Sequence, residues 1–297
     1  MQIRPARASE LDSVVALLRA RFRALTAALA VEAVAEGPRS GFRRLLVAVE
    51  DGELVGTGVL RRPPHSPPGV VFEHVAVTTE AEGRGVGAAL DSTLGRDLPA
   101  WVTAFLAQAD QDETRSLEVA GHWGFSPIEV SVTSRAQLGD PARPTLPPDV
   151  TVEVSPSLSF PDEDDVERML DVSQTNPERD HGLVLTLAGL RGMASAGGTV
   201  PTGVVLRVDG RPAAITYAIT ALDEAQVVYT GVDPSWRGRG LAELAKRVLH
   251  ADLAAAGART CVTNNADDNP GIRRVNERLG YRPTDTAVYL RRPLADD

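Results

Sequence analysis

The sequence contains very little cysteine and very little lysine. Cys261 is its single cysteine, so an intrachain disulfide is impossible and a reducing compartment is expected. Cysteine and histidine do not recur at the spacing of a zinc site, which predicts that no metal is bound. Lys246 is the single lysine among 31 basic residues, and 40 acidic residues give a net charge of −9. This balance argues against a nucleic-acid partner and is compatible with a cationic small substrate.

Long apolar runs are also missing from the sequence. No run approaches the roughly 20 apolar residues of a membrane-spanning helix, and the stretch "MQIRPARASELDSVV" lacks the apolar core of a secretory signal. We therefore expect no membrane association and a cytoplasmic location. With 297 residues, the chain is long enough for two ordinary domains.

A glycine-rich loop stands out in "YTGVDPSWRGRGLAELAKRVL", from Tyr229 to Leu249. A strand-like run is followed by alternating arginine and glycine, and then by apolar residues at helical spacing. The start of a helix presents free backbone N–H groups and the positive end of its dipole, so it can bind anions. Glycine lets a ligand approach the backbone, and arginine suits phosphate. A single such loop is equally compatible with an ordinary capped helix, so further evidence is required.

The same pattern occurs earlier in the chain. "VAVTTEAEGRGVGAAL" aligns with "TGVDPSWRGRGLAELA" 155 residues later, and "WGFSP" is followed by "LGYRP" 156 residues later. Upstream of each loop, Asp51-Gly52 and Asp209-Gly210 separate two strand-like runs, which predicts a hairpin in both copies. Repetition at a nearly constant offset predicts two copies of one domain.

The seam between the copies is rich in proline and poor in apolar residues, which is typical of a linker. We predict an N-terminal domain at residues 1–135, a linker at 136–149 and a C-terminal domain at 150–297. Each copy reads as helices, a hairpin, a third strand, the glycine loop, a helix, a strand, a short helix and a final strand.

Both copies resemble the GNAT superfamily of acyl-CoA-dependent N-acyltransferases. Its loop pattern, Arg/Gln-x-x-Gly-x-Gly/Ala after Val-x-Pro, is matched by Val232-Asp233-Pro234 and by Arg237 to Ala242. Downstream, "TNNADDNPGIRRVNERLGY" matches the family's asparagine and Gly-aromatic positions. The match is strong in the C-terminal copy and looser in the N-terminal copy. The resemblance covers essentially the whole chain and implies two tandem GNAT-type α/β domains, each with a mixed sheet.

The resemblance also implies acetyl-CoA, or another acyl-CoA, as cofactor. The loop would hold the pyrophosphate, and the pantetheine arm would lie between two strands that splay apart. In the C-terminal copy the implied contacts are Val232, Arg237, Gly238, Arg239, Gly240, Leu241, Ala242, Asn265, Asn269 and Asn276. A possible second site in the N-terminal copy comprises Val77, Gly83, Arg84, Gly85, Val86 and Gly87. There, however, Glu82 occupies the Arg/Gln position, which brings a negative charge near the pyrophosphate and is a sign of a degenerate copy.

A Rossmann nucleotide loop is the rival interpretation, because Gly83, Gly85 and Ala88 fit G-x-G-x-x-A. Neither copy opens its domain with this loop, which argues against a Rossmann fold.

The catalytic positions depart from the family pattern. The usual strand carboxylate is replaced by Gln226, and the usual tyrosine acid by Asn276, and neither amide can carry the proton. We nevertheless predict that the C-terminal copy is the catalytic one, with Gln226 orienting a water or the acceptor and Asn276 donating to the thioester. Tyr229 is a further catalytic candidate in this copy, as are Asp233 and the group Glu178, Asp180 and His181. The N-terminal copy offers Glu73, four residues before Val77, as an alternative base, while its neighbour His74 should face the other way.

The resemblance implies acyl transfer to the amine of a small polar molecule. Two alternatives stay open: a donor carried on an acyl carrier protein, and a non-catalytic acyl-CoA-binding protein. Neither the acceptor nor the choice between monomer and homodimer follows from the sequence, because acceptor walls come from variable loops.

Overall fold

The computed structural model describes residues 1–35, 42–63, 66–139, 142–174, 185–193, 199–266 and 270–294. The predicted mixed α/β architecture is confirmed. The chain forms two compact units: unit 1 is Met1–Ser131 with Asp285–Asp297, and unit 2 is Val132–Thr284. No helix in the described ranges is both long and apolar enough to cross a membrane.

Unit 1 is a mixed sheet with helices on both faces. Its strand order is β1-β2-β3-β4-β5-β12. The helices are α1 (Leu11–Arg21), α2 (Ala27–Val34), α3 (Val86–Leu94) and α4 (Thr114–His122). The strands are β1 (Gln2–Pro5), β2 (Arg43–Glu50), β3 (Glu53–Arg61), β4 (Val70–Val77), β5 (Ala104–Asp110) and β12 (Arg282–Pro293).

The two faces of this sheet bury alternate residues of the same strands. In β2, Leu46 packs with α3 residues such as Leu90, whereas Val47 packs with α1 residues such as Leu18. Successive side chains of a strand point to opposite faces, so a strand covered on both faces is apolar throughout. His74 follows the same alternation: its ring meets Phe22, at the end of α1, edge to face at 5.4 Å.

Unit 2 repeats this plan, with strand order β6-β11-β10-β9-β8-β7. Its helices are α5 (Glu163–Ser173), α6 (Leu187–Met193), α7 (Leu241–Ala255) and α8 (Pro270–Arg278). Its strands are β7 (Val150–Ser155), β8 (Thr199–Val208), β9 (Arg211–Ala221), β10 (Glu224–Val232) and β11 (Thr260–Ala266), together with the end of β6 (Ser126–Gln137).

Both predicted hairpins are confirmed. Asp51-Gly52 joins β2 to β3 with φ of 51° and 87°, and Asp209-Gly210 joins β8 to β9 with φ of 48° and 77°. Two successive positive φ angles are the geometry of the tight turn that matches strand twist, and Asp-Gly adopts it at low cost.

The compact units divide the chain differently from the predicted domains in one respect. Strand β12 closes the second repeat in sequence, yet its residues Ala287–Pro293 pair antiparallel with β5 in unit 1. Conversely, β6 closes the first repeat but continues into unit 2. The apolar pattern of a strand specifies its faces and not its neighbour, so the repeat alone could not reveal this exchange.

We expect His74 to make stability depend on pH. Burial lowers the pKa of His74 to about 3, and the Arg61 charge acts in the same direction. An unfolded histidine titrates near pH 6.5, so the folded state binds fewer protons between these values and loses stability as pH falls. From pH 8 to pH 5 this group should cost about 2 kcal/mol. Urea unfolding of His74→Leu should show a correspondingly smaller loss.

The exposed His122 provides the control. His122→Leu should keep the wild-type difference between pH 8 and pH 5. An unchanged difference in His74→Leu would contradict the assignment.

Candidate active site

In both units, the strand before the glycine loop separates from its parallel neighbour. β4 pairs with β5 only from Val70 to Phe72, and β10 pairs with β11 only from Glu224 to Val227. Both strands remain paired on their other edge, to Val77 and Val232 respectively. The freed edges offer backbone donors and acceptors to an extended ligand, as in strand addition. The splay implied by the family resemblance is thus present twice.

The two glycine loops have the same backbone conformation. Gly83 and Gly85 have φ of 72° and 81°, and Gly238 and Gly240 have φ of 80° and 76°, all in the left-handed region. Gly85 and Gly240 precede α3 and α7, and no side chain caps either helix. A Cβ placed on Gly85 or Gly240 would meet no atom within 4 Å. Each helix therefore presents free N–H groups to open space, as an anion site requires.

The negative charge of Glu82 in the unit 1 loop is balanced. Its Oε1 lies 2.5 Å from Arg21 Nη2, and its Oε2 lies 3.5 Å from Arg115 Nη1. Arg84 points away from the loop, to Glu50 at 2.6 Å. Because two guanidinium groups flank Glu82, its repulsion of a pyrophosphate is weaker than the sequence alone suggests.

The arginines of the unit 2 loop are held by protein groups. Arg237 donates to the carbonyls of Val232 and Ser173 at 3.3 and 3.4 Å. Arg239 pairs with Asp149 at 2.6 Å and lies 5.1 Å from the centre of the Trp236 ring. An anion at this loop therefore has to compete with Asp149 for Arg239.

A cavity of about 580 Å³ opens between the separated strands of unit 1. This volume lies within the usual range for a small-molecule site. Its wall includes five of the six residues predicted for the second cofactor site, all except Arg84: Val77, Gly83, Gly85, Val86 and Gly87. The wall also includes Glu73, together with Ala107 of β5 and Trp123 beyond α4.

Glu73 is the buried carboxyl of this cavity, with 2% of its surface exposed. Its Oε2 accepts a hydrogen bond from Arg292 Nη2 at 3.2 Å, and its Oε1 has no hydrogen-bond partner in the described part of the chain. Burial raises the pKa of Glu73 well above its usual range, and the charge of Asp91 acts in the same direction, against that of Arg292. A buried carboxyl whose pKa is raised in this way is a candidate for proton transfer.

A β-bulge changes the correspondence between the two copies. β10 has one extra residue between Val227 and Tyr229 relative to its partner strand, and β4 pairs without a shift. The fourth residue along β3 from the partner of Val77 pairs with Glu73, and the fourth residue along β9 from the partner of Val232 pairs with Val227. Val227 is therefore the structural counterpart of Glu73. The buried Gln226 corresponds to Phe72. The constant sequence offset hides this shift, because a bulge leaves no gap in the alignment.

Tyr229 lies in the separated part of β10. Its hydroxyl is 2.8 Å from Ser173 Oγ, and Ser173 donates its own proton to the Leu170 carbonyl. Tyr229 is therefore the donor to Ser173. A Cβ on Gly231 would lie 2.4 Å from Ser173 Oγ and 2.5 Å from the Tyr229 hydroxyl, so the tyrosine lies across this glycine.

Two predicted asparagines meet in unit 2. Asn276 Nδ2 donates to Asn265 Oδ1 at 2.8 Å, and Asn276 Oδ1 accepts from Lys246 Nζ at 2.5 Å. Lys246 is fully buried, and burial lowers its pKa to about 8. No sequence motif includes this lysine, and its only distinguishing sign in the sequence is that it is the single lysine of the chain.

The other predicted contacts contribute in different ways. Leu241 is buried in the core of unit 2, and Val232 packs against that core. Ala242 is half-buried. Asn269, Glu178, Asp180 and His181 lie outside the described residues. Within the described ranges, no group of His, Cys, Asp and Glu is arranged to hold a metal ion.

Comparisons with known proteins agree with this geometry. The acetyltransferase (GNAT) family model matches residues 11–126. The mycothiol acetyltransferase of Streptomyces scabiei is 28% identical over 261 residues, which cover 86% of this chain and 81% of that protein. Residues 11–126 thus match the GNAT acetyltransferase family, and most of the chain is similar to mycothiol acetyltransferases. The mycothiol acetyltransferase of Nocardiopsis dassonvillei is 26% identical, with coverage of 89% and 86%.

Solved structures show the same fold. One is described as "Tandem GNAT protein from the clavulanic acid biosynthesis pathway (without AcCoA)"; its TM-score is 0.75 at 19% identity, with coverage of 100% and 99%. A GCN5-related N-acetyltransferase from Sphaerobacter thermophilus gives 0.70 at 16% identity, with coverage of 98% and 95%. The family-model match falls on the first repeat of the chain, although the loop of that repeat departs further from the family pattern.

We expect Gly231→Ala to destabilise the protein by about 1–3 kcal/mol, because the new methyl group overlaps the Tyr229–Ser173 hydrogen bond. Ser173→Ala removes the nearest atom, so the double variant should lose less than the sum of the two single losses in urea unfolding.

Gly121→Ala is the matched control, since a Cβ there meets nothing within 4 Å. It should not destabilise the protein, and because alanine is the better helix former it should be neutral or stabilising by up to about 1 kcal/mol. Simple additivity of Gly231→Ala and Ser173→Ala would show that this contact is not the cause.

Proposed function

We propose that the protein transfers an acetyl or related acyl group from acyl-CoA to an amine of a small polar molecule, and that unit 1 carries the reaction. The observation that carries the proposal is one cavity of about 580 Å³ in which separated strands, an uncapped glycine loop and a buried carboxyl meet. The mycothiol acetyltransferase relatives support acetyl transfer as the reaction class.

The residues of unit 1 fit an acyl-CoA. The N–H groups at the start of α3 suit its diphosphate, and open space above Gly85 admits the phosphate oxygens. The free edges of β4 and β5 suit the amides of the pantetheine arm. When bound, acyl-CoA supplies an activated thioester carbonyl, which an amine attacks with release of the thiol.

Glu73 provides the proton chemistry in this proposal. Oε1 of Glu73 accepts the proton that the amine loses, directly or through a water molecule, while Oε2 stays on Arg292. Because burial raises the pKa of this carboxyl, its carboxylate is a stronger base than an exposed glutamate, and it can return the proton to solvent afterwards. Positioning of the two substrates by the cavity supplies the remaining rate enhancement.

We also propose that the loop from Arg237 to Ala242 binds acyl-CoA in unit 2, as the sequence predicts. The separated β10 and β11 and the left-handed Gly238 and Gly240 support this second site. Its polar groups, Gln226, Asn265 and Asn276, can donate and accept hydrogen bonds but cannot remove a proton. Unit 2 is therefore assigned binding rather than chemistry. We place the protein in the cytoplasm, where its single, buried Cys261 would stay reduced.

Glu73→Gln should lower kcat/KM by about 100-fold or more, because it removes the general base and keeps its shape. A base must be deprotonated to act, so wild-type kcat/KM should rise with pH through a pKa well above the ordinary carboxyl range. The variant should lose that rise. Thiol release from acetyl-CoA across a panel of amines measures both effects.

Gln226→Leu is the corresponding change in unit 2 and should keep kcat/KM within about tenfold of wild type. If it lost more activity than Glu73→Gln, the chemistry would belong to unit 2.

The number of coenzyme A molecules bound per chain tests the two loops separately. Calorimetry with coenzyme A should give two sites per chain, and Gly85→Asp or Gly240→Asp should each remove one. Aspartate tolerates positive φ, so the fold is kept, while its charge repels the diphosphate. The exposed Gly121→Asp should keep both sites. A single site in the wild type that only one loop variant affects would exclude the other loop.

A further inference from the structure

Arg292 is an arginine surrounded by unit 1 groups. Nη2 lies 3.2 Å from Glu73 Oε2 and 2.6 Å from Asp91 Oδ1. Nη1 donates to the Trp123 carbonyl at 3.2 Å. The guanidinium carbon is 4.6 Å from the ring centres of both Phe105 and Phe125. Five contacts of three kinds therefore fix the orientation of this side chain, and with it the orientation of the Glu73 carboxyl.

The sequence gives no sign of this pairing. Arg292 belongs to β12, which ends the second repeat, and it is 219 residues from Glu73. It reaches the cavity because β12 pairs with β5, where Arg292 stands opposite Phe105. The carboxyl proposed to act as base thus belongs to one repeat and its cation to the other.

We propose that Arg292 is a positioning residue, which holds Glu73 through Oε2 and leaves Oε1 as the oxygen without a hydrogen-bond partner among the described residues. This inference rests on the proposed function of unit 1. It implies that the first repeat alone lacks a competent base, and that the last strand of the chain completes the site.

The charges of Arg292 and Asp91 shift the pKa of Glu73 in opposite directions. One cation, Arg292, faces two carboxylates, Glu73 and Asp91. The Arg292 charge lowers the pKa of Glu73 and the Asp91 charge raises it. Other charged groups line the cavity without an ion pair to Glu73 among the described residues: Arg21, Glu82, Asp110, Glu113, Arg115, Glu118 and His122.

The test is the pH profile of kcat/KM in the full-length chain. Arg292→Met should move the rising limb to higher pH by about one unit or more, because the compensating charge is lost. Asp91→Asn should move the limb to lower pH, because the opposing charge is lost while its side-chain oxygen still accepts from Arg292. Arg292→Lys should keep the limb near its wild-type position, with kcat/KM reduced through poorer geometry.

Arg291→Met is the matched control, since Arg291 is the exposed neighbour on the same strand. It should leave the limb unmoved. If Arg292→Met fails to fold, Asp91→Asn and Arg292→Lys still test the proposal. The proposal is overturned if the rising limb stays fixed in Asp91→Asn. It is also overturned if the limb of Arg292→Lys shifts as far as the loss of a charge would move it.

The proposal and the function on which it rests can fail separately. Full activity in Glu73→Gln would overturn the assignment of chemistry to unit 1. A large loss in Glu73→Gln, with an unmoved limb in both Arg292→Met and Asp91→Asn, would keep that assignment and reject the role of Arg292.

Discussion

The ladder between two parallel strands ends early in each unit, and the site depends on where it ends. β4 is held on one edge by β3 as far as Val77, so it stays extended after it has parted from β5 at Phe72. The free edge begins at Glu73 and runs directly into the glycine loop. One interruption of hydrogen bonding thus creates the groove, places the carboxyl at its closed end and leaves the uncapped helix at its open end.

The two repeats use this frame with different chemistry. In unit 1 the groove contains Glu73, a carboxyl whose pKa is raised by burial and by the charge of Asp91. In unit 2 the extra residue at Val228 shifts the strand, so that Val227 takes the corresponding position. The nearby candidates Gln226 and Asn276 are amides, which keep directed hydrogen bonds but cannot accept a proton as a carboxylate does. The proposed assignment of chemistry to unit 1 and of binding to unit 2 rests on this difference.

Local features of the fold were readable from the sequence, and long-range pairings were not. Asp-Gly turns and glycine loops are specified by a few adjacent residues, because positive φ is a property of the residue itself. The partners of Glu82 and Arg239 are Arg21, Arg115 and Asp149, and no local pattern marks them. The charges of the loop residues alone therefore favoured unit 2 as the reaction site. The ion pairs of the folded chain and the cavity favour unit 1. The bulge at Val228 was hidden for a related reason, since strand pairing rather than residue identity defines it.

The position of β12 also constrains when the protein can become complete during its synthesis. β5 ends at Asp110, but its antiparallel partner begins at Ala287. A ribosome must therefore add more than 170 further residues before the sheet of unit 1 receives its last strand. Until then β5 has an unpaired edge of the kind that promotes association between chains. Pairing over such a distance also closes a very long loop, which favours slow completion of unit 1 even where its local hairpins form early.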